Sequence, residues 1–336
     1  MVTSTSQDVA KKAGVSVATV SRVLNHSPHV SPTVQRKVLR AVKALNYQPN
    51  RSAQRLRAKR SHVIGIIISD IQNPFFTAVV RGIEDIAYKH GYSIVLCNSD
   101  EDADKEQLYI NVMRAEAVAG VILASTSETN PHVHSLIAHH IPVVAIDRRI
   151  KDRQVDSVLV ANAQGAFKAV THLIELGHQR IGLIGLPPTR TPGVERYEGY
   201  QRALREHGLP VSRKYVCWGN AKLQGGHDCA LQLLDLQPPI TALFVANNLM
   251  TLGALSALRE RHLQIPNQIS IVGFDDMPWA PLLQPPLTAV AQPTYELGQK
   301  AAELLVDRLE HQEKPVARLQ LQSNLIIRGS TGPAPV

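Results

Sequence analysis

The 336-residue chain is 44% hydrophobic and carries a formal net charge of +8, which allows two or three domains with sizeable cores. No run approaches the roughly 18 apolar residues that span a bilayer, and the N-terminus reaches a polar helical pattern with no apolar signal-peptide core, so a soluble cytoplasmic protein is expected. Cys97, Cys217 and Cys229 are odd in number, widely spaced and free of any Cys-x-x-Cys pattern. Neither a disulfide framework nor a zinc site is indicated.

The charge is segregated. Residues 1–61 hold twelve Lys or Arg against one acid, Asp8, a net +11; the remaining 275 residues hold 24 Lys or Arg against 27 Asp or Glu, a net −3. A phosphate-binding head on a near-neutral body explains this division, and an ordinary solvated surface does not.

Within that head, residues 4–25 read as two short helices around a glycine turn. Val9, Ala10 and Ala13 share one face of the first helix, Gly14 suits a left-handed turn, and Ser16 suits an N-cap. Val20, Val23 and Leu24 form a narrow inward stripe on the second helix. Val17, Ala18, Ser21 and Arg22 are then expected to face outward, a short cation-bearing surface suited to base edges. The pattern is a helix-turn-helix whose second helix enters a major groove, although any two-helix hairpin shares it.

After a loop at 26–30, Ser31-Pro32 opens a third helix with serine as cap and proline in the first turn. Val34, Val38, Ala41, Val42 and Leu45 close a small core, and the Asn46–Pro49 stretch ends the helix. Residues 50–60 carry a dense row of arginines behind Asn50. So short and self-repelling a segment is expected to become helical only when anions neutralise it; a disordered basic linker is the alternative.

From Val63 the pattern changes to β-branched runs at 63–70, 92–97, 120–124, 142–146, 180–186, 241–245 and 270–274, as in strands buried on both faces. Helical patterns alternate with them at about 76–90, 103–116, 163–177, 195–208, 224–236, 249–262 and 293–311. Repeated βαβ units imply right-handed crossovers and parallel sheets. The stretch from about 62 to 160 is echoed from about 180 to 275, so the expected fold class is α/β, with two doubly wound lobes and a ligand cleft at the carboxyl ends of the strands.

Several ordered motifs now coincide: Asp8-Val9-Ala10, Ala13-Gly14-Val15-Ser16, Thr19 to Asn25, Leu45-Asn46-Tyr47 and Pro49-Asn50 in the head; Asn73-Pro74-Phe75-Phe76, Arg81-Gly82, Leu176-Gly177-His178, Arg196 with Gly199-Tyr200, Gly273-Phe274-Asp275-Asp276 and Pro286-Leu287-Thr288 in the body. Together, over about residues 6–329, the chain resembles the lactose/galactose repressor (LacI/GalR) family. The resemblance implies a helix-turn-helix DNA-binding domain at 1–46, a hinge at 47–61, and a periplasmic-binding-protein-like effector and dimerisation domain at 62–336. The N-lobe is placed at about 62–161 plus 291–328, the C-lobe at about 162–290, with crossings near 160–163, 288–292 and 322–325.

It further implies a cytoplasmic homodimeric repressor of carbohydrate-utilisation genes, bound to a near-palindromic double-stranded operator and controlled by a sugar-like effector, with no cofactor, metal or membrane partner. Val17 and Ala18 would be the specificity pair, suited to thymine methyls, and Arg22 would reach guanine. Ser16, Thr19, Ser21 and Asn25 would bind phosphates or other backbone atoms, solvated surface being the alternative for Thr19 and Ser21. The hinge helix falls on 50–58, with Asn50, Ser52 and Ala53 among its DNA contacts and Leu56 as a minor-groove wedge. In the cleft, Arg196 would clamp ligand oxygens, Asp275 would accept from hydroxyls, and Asn247, Phe75, Phe76, Asp147 and Arg148 would complete the ring. Phe75 and Phe76 suit a core equally well, and Asp147 and Arg148 suit a pair with each other.

Departures narrow the expectation. Ala221 stands where some relatives carry a stacking aromatic, which favours a sugar or sugar acid over a purine. Asn248-Leu249 replaces an acidic and a polar residue and leaves less capacity for hydroxyls. Ala161 replaces a frequent acid, Trp279 would lid the cleft or pack at a crossover, and no leucine heptad follows to form a tetramer. Enzyme chemistry is not expected: Gly182-Leu183-Ile184-Gly185 has the wrong spacing for a dinucleotide fingerprint, no P-loop or GxSxG occurs, and His132, His134, His139 and His140 lack suitably spaced metal partners. A transport-type binding protein would share the body without the basic head.

Overall fold

The computed structural model describes residues 4–24, 30–47 and 61–335, which divide into two compact units on either side of residues 61 and 62. Asn25, Asn50, Ser52, Ala53 and Leu56 lie outside the described residues.

The head unit is three helices, α1 (Ser6–Ala13), α2 (Val17–Leu24) and α3 (Pro32–Ala44). A capping box starts α1: the Thr5 N–H donates to Asp8 Oδ2 at 2.8 Å, and Asp8 N–H donates to Thr5 Oγ1 at 3.3 Å. The Thr5 hydroxyl, which donates to Asp8 Oδ2 at 2.7 Å, and then the Thr5 N–H hold the Asp8 carboxyl below its ordinary pKa. Gly14 ends the helix at φ +67°, a conformation open to glycine without a Cβ clash. Ser16 Oγ accepts from Thr19 N–H at 3.2 Å and so caps α2. Ser31 is extended before Pro32 but makes no side-chain cap bond. Val9, Val20, Val23 and Val38 are buried at the centre with Ala10 and Ala41. Val17, the first residue of α2, is half-buried against this core rather than turned fully outward.

The body is built on two six-stranded sheets. The N-lobe sheet contains β1 (Val63–Ile68), β2 (Ser93–Asn98), β3 (Gly120–Leu123), β4 (Val143–Ile146), β5 (Asp156–Val160) and β11 (Arg318–Leu321), ordered β11-β5-β4-β3-β1-β2 and parallel throughout. In the C-lobe, β6 (Ile181–Gly185), β7 (Val216–Trp218), β8 (Ala242–Val245), β9 (Ser270–Phe274), β10 (Thr288–Ala291) and β12 (Asn324–Ile326) take the equivalent order β12-β10-β9-β8-β6-β7. Only the β10–β12 pair is antiparallel. The helices are α4 (Pro74–Lys89), α5 (Ala103–Ala115), α6 (Val133–Ala138), α7 (Asn162–Glu175), α8 (Thr191–Glu206), α9 (Leu223–Leu234), α10 (Asn248–Glu260) and α11 (Thr294–Glu310). They cover both sheet faces, which is why β1, β3 and β4 are almost wholly buried aliphatic runs.

The chain passes between lobes at Ala161, at 292–293 and at 322–323. The last crossing corrects one expectation. β12 joins the C-lobe sheet, and Ser330 and Ala334 also bond there, to Ile271 and Leu176, so the second N-lobe segment ends with β11 near 321 and not near 328. Leu325 packs against the C-lobe core, and β10 offers the free edge that a returning strand needs. The helices α4 and α11 cross with touching backbones: a Cβ on Gly298 would lie 2.0 Å from the Val79 carbonyl oxygen.

A second correction concerns cysteine. Cys217 on β7 and Cys229 on α9 have Cα atoms 5.5 Å apart and form a disulfide, while Cys97 is free. The contact between edge strand and following helix is tertiary, so spacing alone does not reveal it. Closing this 12-residue loop removes about 3 kcal/mol of unfolded-chain entropy in the loop-closure model, and the loop carries Ala221 and Lys222 into the cleft. His178, from the Leu176-Gly177-His178 motif, is fully buried between Thr241 Oγ1, Ser270 Oγ and the Gly332 carbonyl. Burial holds its imidazole below the ordinary pKa, and the motif ties the chain's last turn to the C-lobe.

Candidate functional site

The cleft lies where the carboxyl ends of the two sheets face each other, and its walls are the loops that follow the strands. Phe75, Phe76, Asp147, Arg148, Arg196, Asn247 and Asp275 all border it.

Local structure sets each side chain. After β1, Asn73 Oδ1 accepts from the Phe75 N–H at 2.9 Å, and Pro74 opens α4. Phe75 and Phe76 therefore enter in the first turn, with ring centroids 5.0 Å apart and nearly perpendicular planes. Both rings are buried and both border the cleft, so they serve the core and the cleft wall together. Asp147 directly follows β4 at φ +61°, and Asp275 directly follows the equivalent β9 at φ +78°. Left-handed aspartates at matching places in both lobes are strained positions, of the kind that clusters at functional sites.

Arg196 projects from α8. Its Nε donates to Asn162 Oδ1 at 2.9 Å, its Nη1 donates to the Ala246 carbonyl at 2.6 Å, and its guanidinium lies 3.7 Å from the centroid of the Phe274 ring. The residue is 3% exposed, yet no carboxylate among the described residues lies within ion-pair distance. Its Nη2 group also takes no acceptor from them. Burial lowers the guanidinium pKa, opposed by the charges of Asp275 and then Asp147. Such a charge asks for a further acceptor.

Asp275 Oδ2 accepts from the Asn248 N–H at 3.2 Å, and Oδ1 accepts from Gln292 Nε2. Gln292 Oε1 is buried without a partner among the described residues. Burial raises the Asp147 pKa against the pull of Arg148 and Arg196. Arg148 does not simply pair with Asp147, whose Oδ2 is 3.4 Å away; its two-point partner is Glu101, at 2.8 and 2.5 Å. Asn247 spends its polar atoms within the C-lobe: Oδ1 caps α10 by accepting from Met250 N–H, and Nδ2 donates to the Ala221 carbonyl. Trp279 packs against the C-lobe core and does not border the cleft.

Direct bonds join the lobes. Arg190 reaches Glu101 at 2.5 Å, Lys222 reaches Asp70 at 2.6 Å, and Asn248 Nδ2 donates to Asn73 Oδ1 at 2.8 Å. Burial opposes the Lys222 charge, but the Asp70 hydrogen bond and charge outweigh it and hold its pKa above the ordinary value. Asn248 thus connects the lobes, a role that its reduced capacity for hydroxyls does not suggest. Glu101, Arg190, Lys222, Asp70, Asn73 and Gln292 are cleft residues that sequence reading left unassigned. Their common signal is position, since all lie in the segments that follow a strand's carboxyl end.

In the head, Ala18 and Arg22 are exposed on α2, whereas Val17, Thr19 and Ser21 are half-buried. Ser16 is exposed, and its hydroxyl is 2.9 Å from that of Thr19. The described residues contain no group of three or more His, Cys, Asp or Glu able to hold a metal ion, and no helix is long and apolar enough to cross a membrane.

A three-helix head and a two-lobed, doubly wound body with a polar cleft define a ligand-responsive DNA-binding regulator. Residues 5–50 match the family of bacterial regulatory proteins known as the lacI family, and residues 170–331 match the periplasmic binding protein-like domain. The chain is 38% identical over 325 residues to the catabolite control protein A of Priestia megaterium, covering 96% of this chain and 98% of that protein. Among solved structures it is similar to the CelR–cellobiose complex (33% identity, TM-score 0.75, covering 97% of this chain and 99% of that one). It is also similar to the lac repressor dimer bound to operator and an anti-inducer (29% identity, TM-score 0.84, covering 98% and 100%). The chain belongs to the LacI family of transcriptional regulators.

Proposed function

We propose that this protein is a cytoplasmic homodimeric repressor of carbohydrate-utilisation genes, that α2 reads each half of a near-palindromic operator, and that a sugar or sugar derivative in the cleft controls operator affinity. The observation that carries the effector reading is Arg196, a buried cation with an open nitrogen between two left-handed aspartates. Aspartates accept from hydroxyls, a guanidinium donates to ring or acid oxygens, and the Phe75–Phe76 pair offers an apolar face. Ala221 leaves that part of the cleft without a stacking ring, which favours a polyol over a flat base. The bound cellobiose of the similar regulator supports the same class.

For DNA, Ala18 would meet a thymine methyl and Arg22 the O6 and N7 of guanine, while Ser16, Thr19, Ser21 and Asn25 would hold the backbone. Val17 would add an apolar edge through the part of its side chain that is not in the core. Asn50, Ser52, Ala53 and Leu56 would follow the minor groove, Leu56 as the wedge between base steps. Dimerisation is supported by an apolar surface on the N-lobe, where Leu108 and Val112 are exposed one turn apart on α5 and Val95 is exposed on edge strand β2. Ligand would act by population shift, tenfold in operator affinity needing only about 1.4 kcal/mol of coupling. No catalytic step and no cofactor enter this reading.

The test is selection of DNA from a randomised duplex pool by the full-length protein, followed by sedimentation of the selected complex. A pseudo-palindromic site holding two protomers is expected. An asymmetric site holding one protomer, or no enrichment, would reject the proposal.

A further inference from the structure

Two guanidiniums in the cleft share one carboxylate. Arg148, from the N-lobe, holds Glu101 at two points, and Arg190 reaches the same carboxylate across the cleft from the C-lobe. Arg196 lines the same cleft without any carboxylate in ion-pair distance among the described residues, and Asp147 meets Arg148 only at 3.4 Å. Among the described residues Glu101 is thus the one carboxylate that Arg148 and Arg190 both hold closely, whereas Lys222 has both Asp70 and Asp100.

The loop that delivers Glu101 is itself strained. Asp100 and Glu101 follow β2 with φ of +55° and +64°, two successive non-glycine residues in the left-handed region. They are the two central residues of the turn that leads into α5, closed by the Asp102 N–H donating to the Ser99 carbonyl at 3.0 Å, and Asp102 in turn caps α5 by accepting from the N–H groups of Asp104 and Lys105. The turn carries two acids toward C-lobe cations: Glu101 to Arg190, and Asp100 to Lys222 at 3.4 Å.

We infer that Glu101 occupies the seat of an effector's acidic group, so that the effector is an acidic sugar, carrying a carboxylate or a phosphate, which displaces Glu101 from Arg148 and Arg190. The planar two-point geometry at Arg148 is the one guanidinium offers to any oxyanion. Displacement replaces an internal bond between the lobes with one made through the ligand. A neutral sugar supplies no charge to compete with Glu101 and leaves that bridge in place. The hydroxyls of the acid would be read by Asp147 and Asp275, and its anion by the arginines.

This inference rests on the proposal that the cleft binds a sugar-like effector, and the experiment separates the two. Full-length wild type, Glu101→Gln and Arg190→Met are titrated calorimetrically with matched neutral and acidic sugars: D-glucose, D-gluconate and D-glucose 6-phosphate; D-galactose and D-galacturonate; D-ribose and D-ribose 5-phosphate. At least one acidic sugar should bind wild type tenfold or more tighter than its neutral partner. Glu101→Gln should tighten that acid about tenfold without changing the neutral sugar, and Arg190→Met should weaken the acid at least tenfold. Tight binding by a carboxylate or by a phosphate supports the inference equally and identifies the anion. Neutral sugars that match or exceed their acids, or a Glu101→Gln change that weakens both classes alike, would overturn it while leaving the sugar-sensing proposal standing. Binding by neither class would overturn both. Should Glu101→Gln fail to fold, Arg190→Met against the matched pairs decides.

Discussion

Arg196→Met should weaken effector binding at least a hundredfold and leave operator affinity in the absence of effector within about threefold. A hundredfold is about 2.7 kcal/mol, the scale of one or two charge-assisted hydrogen bonds at about 1.5–3 kcal/mol each. Methionine fills most of the volume over the Phe274 ring, so the change removes the charge more than the packing. It also strips the Asn162 Oδ1 and Ala246 carbonyl of their donor, and leaving buried acceptors unmet costs about 1–3 kcal/mol. A modest fall in the melting temperature should therefore accompany the lost response. Calorimetric titration together with a melting curve checks both, and a variant that binds effector normally would remove Arg196 from the pocket.

The second large effect belongs to the head. Arg22→Ala should cost operator binding about 1–3 kcal/mol per half-site, and because two protomers carry the change, the loss on a symmetric operator should be roughly thirtyfold or more. Arg22 is exposed on α2, one turn beyond exposed Ala18, and the helix is fixed by the Ser16 cap and by Val20 and Val23 in the core. Its removal should not unfold the head. Fluorescence anisotropy on the selected operator and on its single-base variants separates two roles. Relaxed discrimination at one base pair per half-site marks a base contact, whereas an even loss across all sequences would make Arg22 a phosphate contact.

The fold was legible because its signals are local and periodic. Aliphatic runs such as Val63-Ile64-Gly65-Ile66-Ile67-Ile68 occur only where both faces of a strand are covered, and Gly14 followed by Ser16 marks a helix end and a helix start. What escaped was tertiary. The Cys217–Cys229 bond depends on β7 lying beside α9, and the return of β12 to the C-lobe depends on which strand has a free edge; neither carries a pattern in sequence. The cleft was half legible. Residues inside ordered motifs, such as Phe75, Arg196 and Asp275, pointed to it, whereas Glu101 and Arg190 sit in loops outside those motifs, and nothing marks them until two lobes are brought face to face. Asn248 shows the converse: its change of chemistry was visible, but its bond to Asn73 was not. Helical spacing alone puts Val17 outward, whereas its side chain is half-buried against the head core.

The central claim is that cleft and operator are linked, so effector must distinguish the DNA-bound state from the free one. The direct measurement is calorimetric titration of the tightest-binding sugar into full-length protein, alone and saturated with the selected operator. Linkage requires the factor by which DNA changes effector affinity to equal the factor by which effector changes operator affinity. A matching change of tenfold or more is predicted, in either direction. Identical effector affinity with and without operator would contradict it.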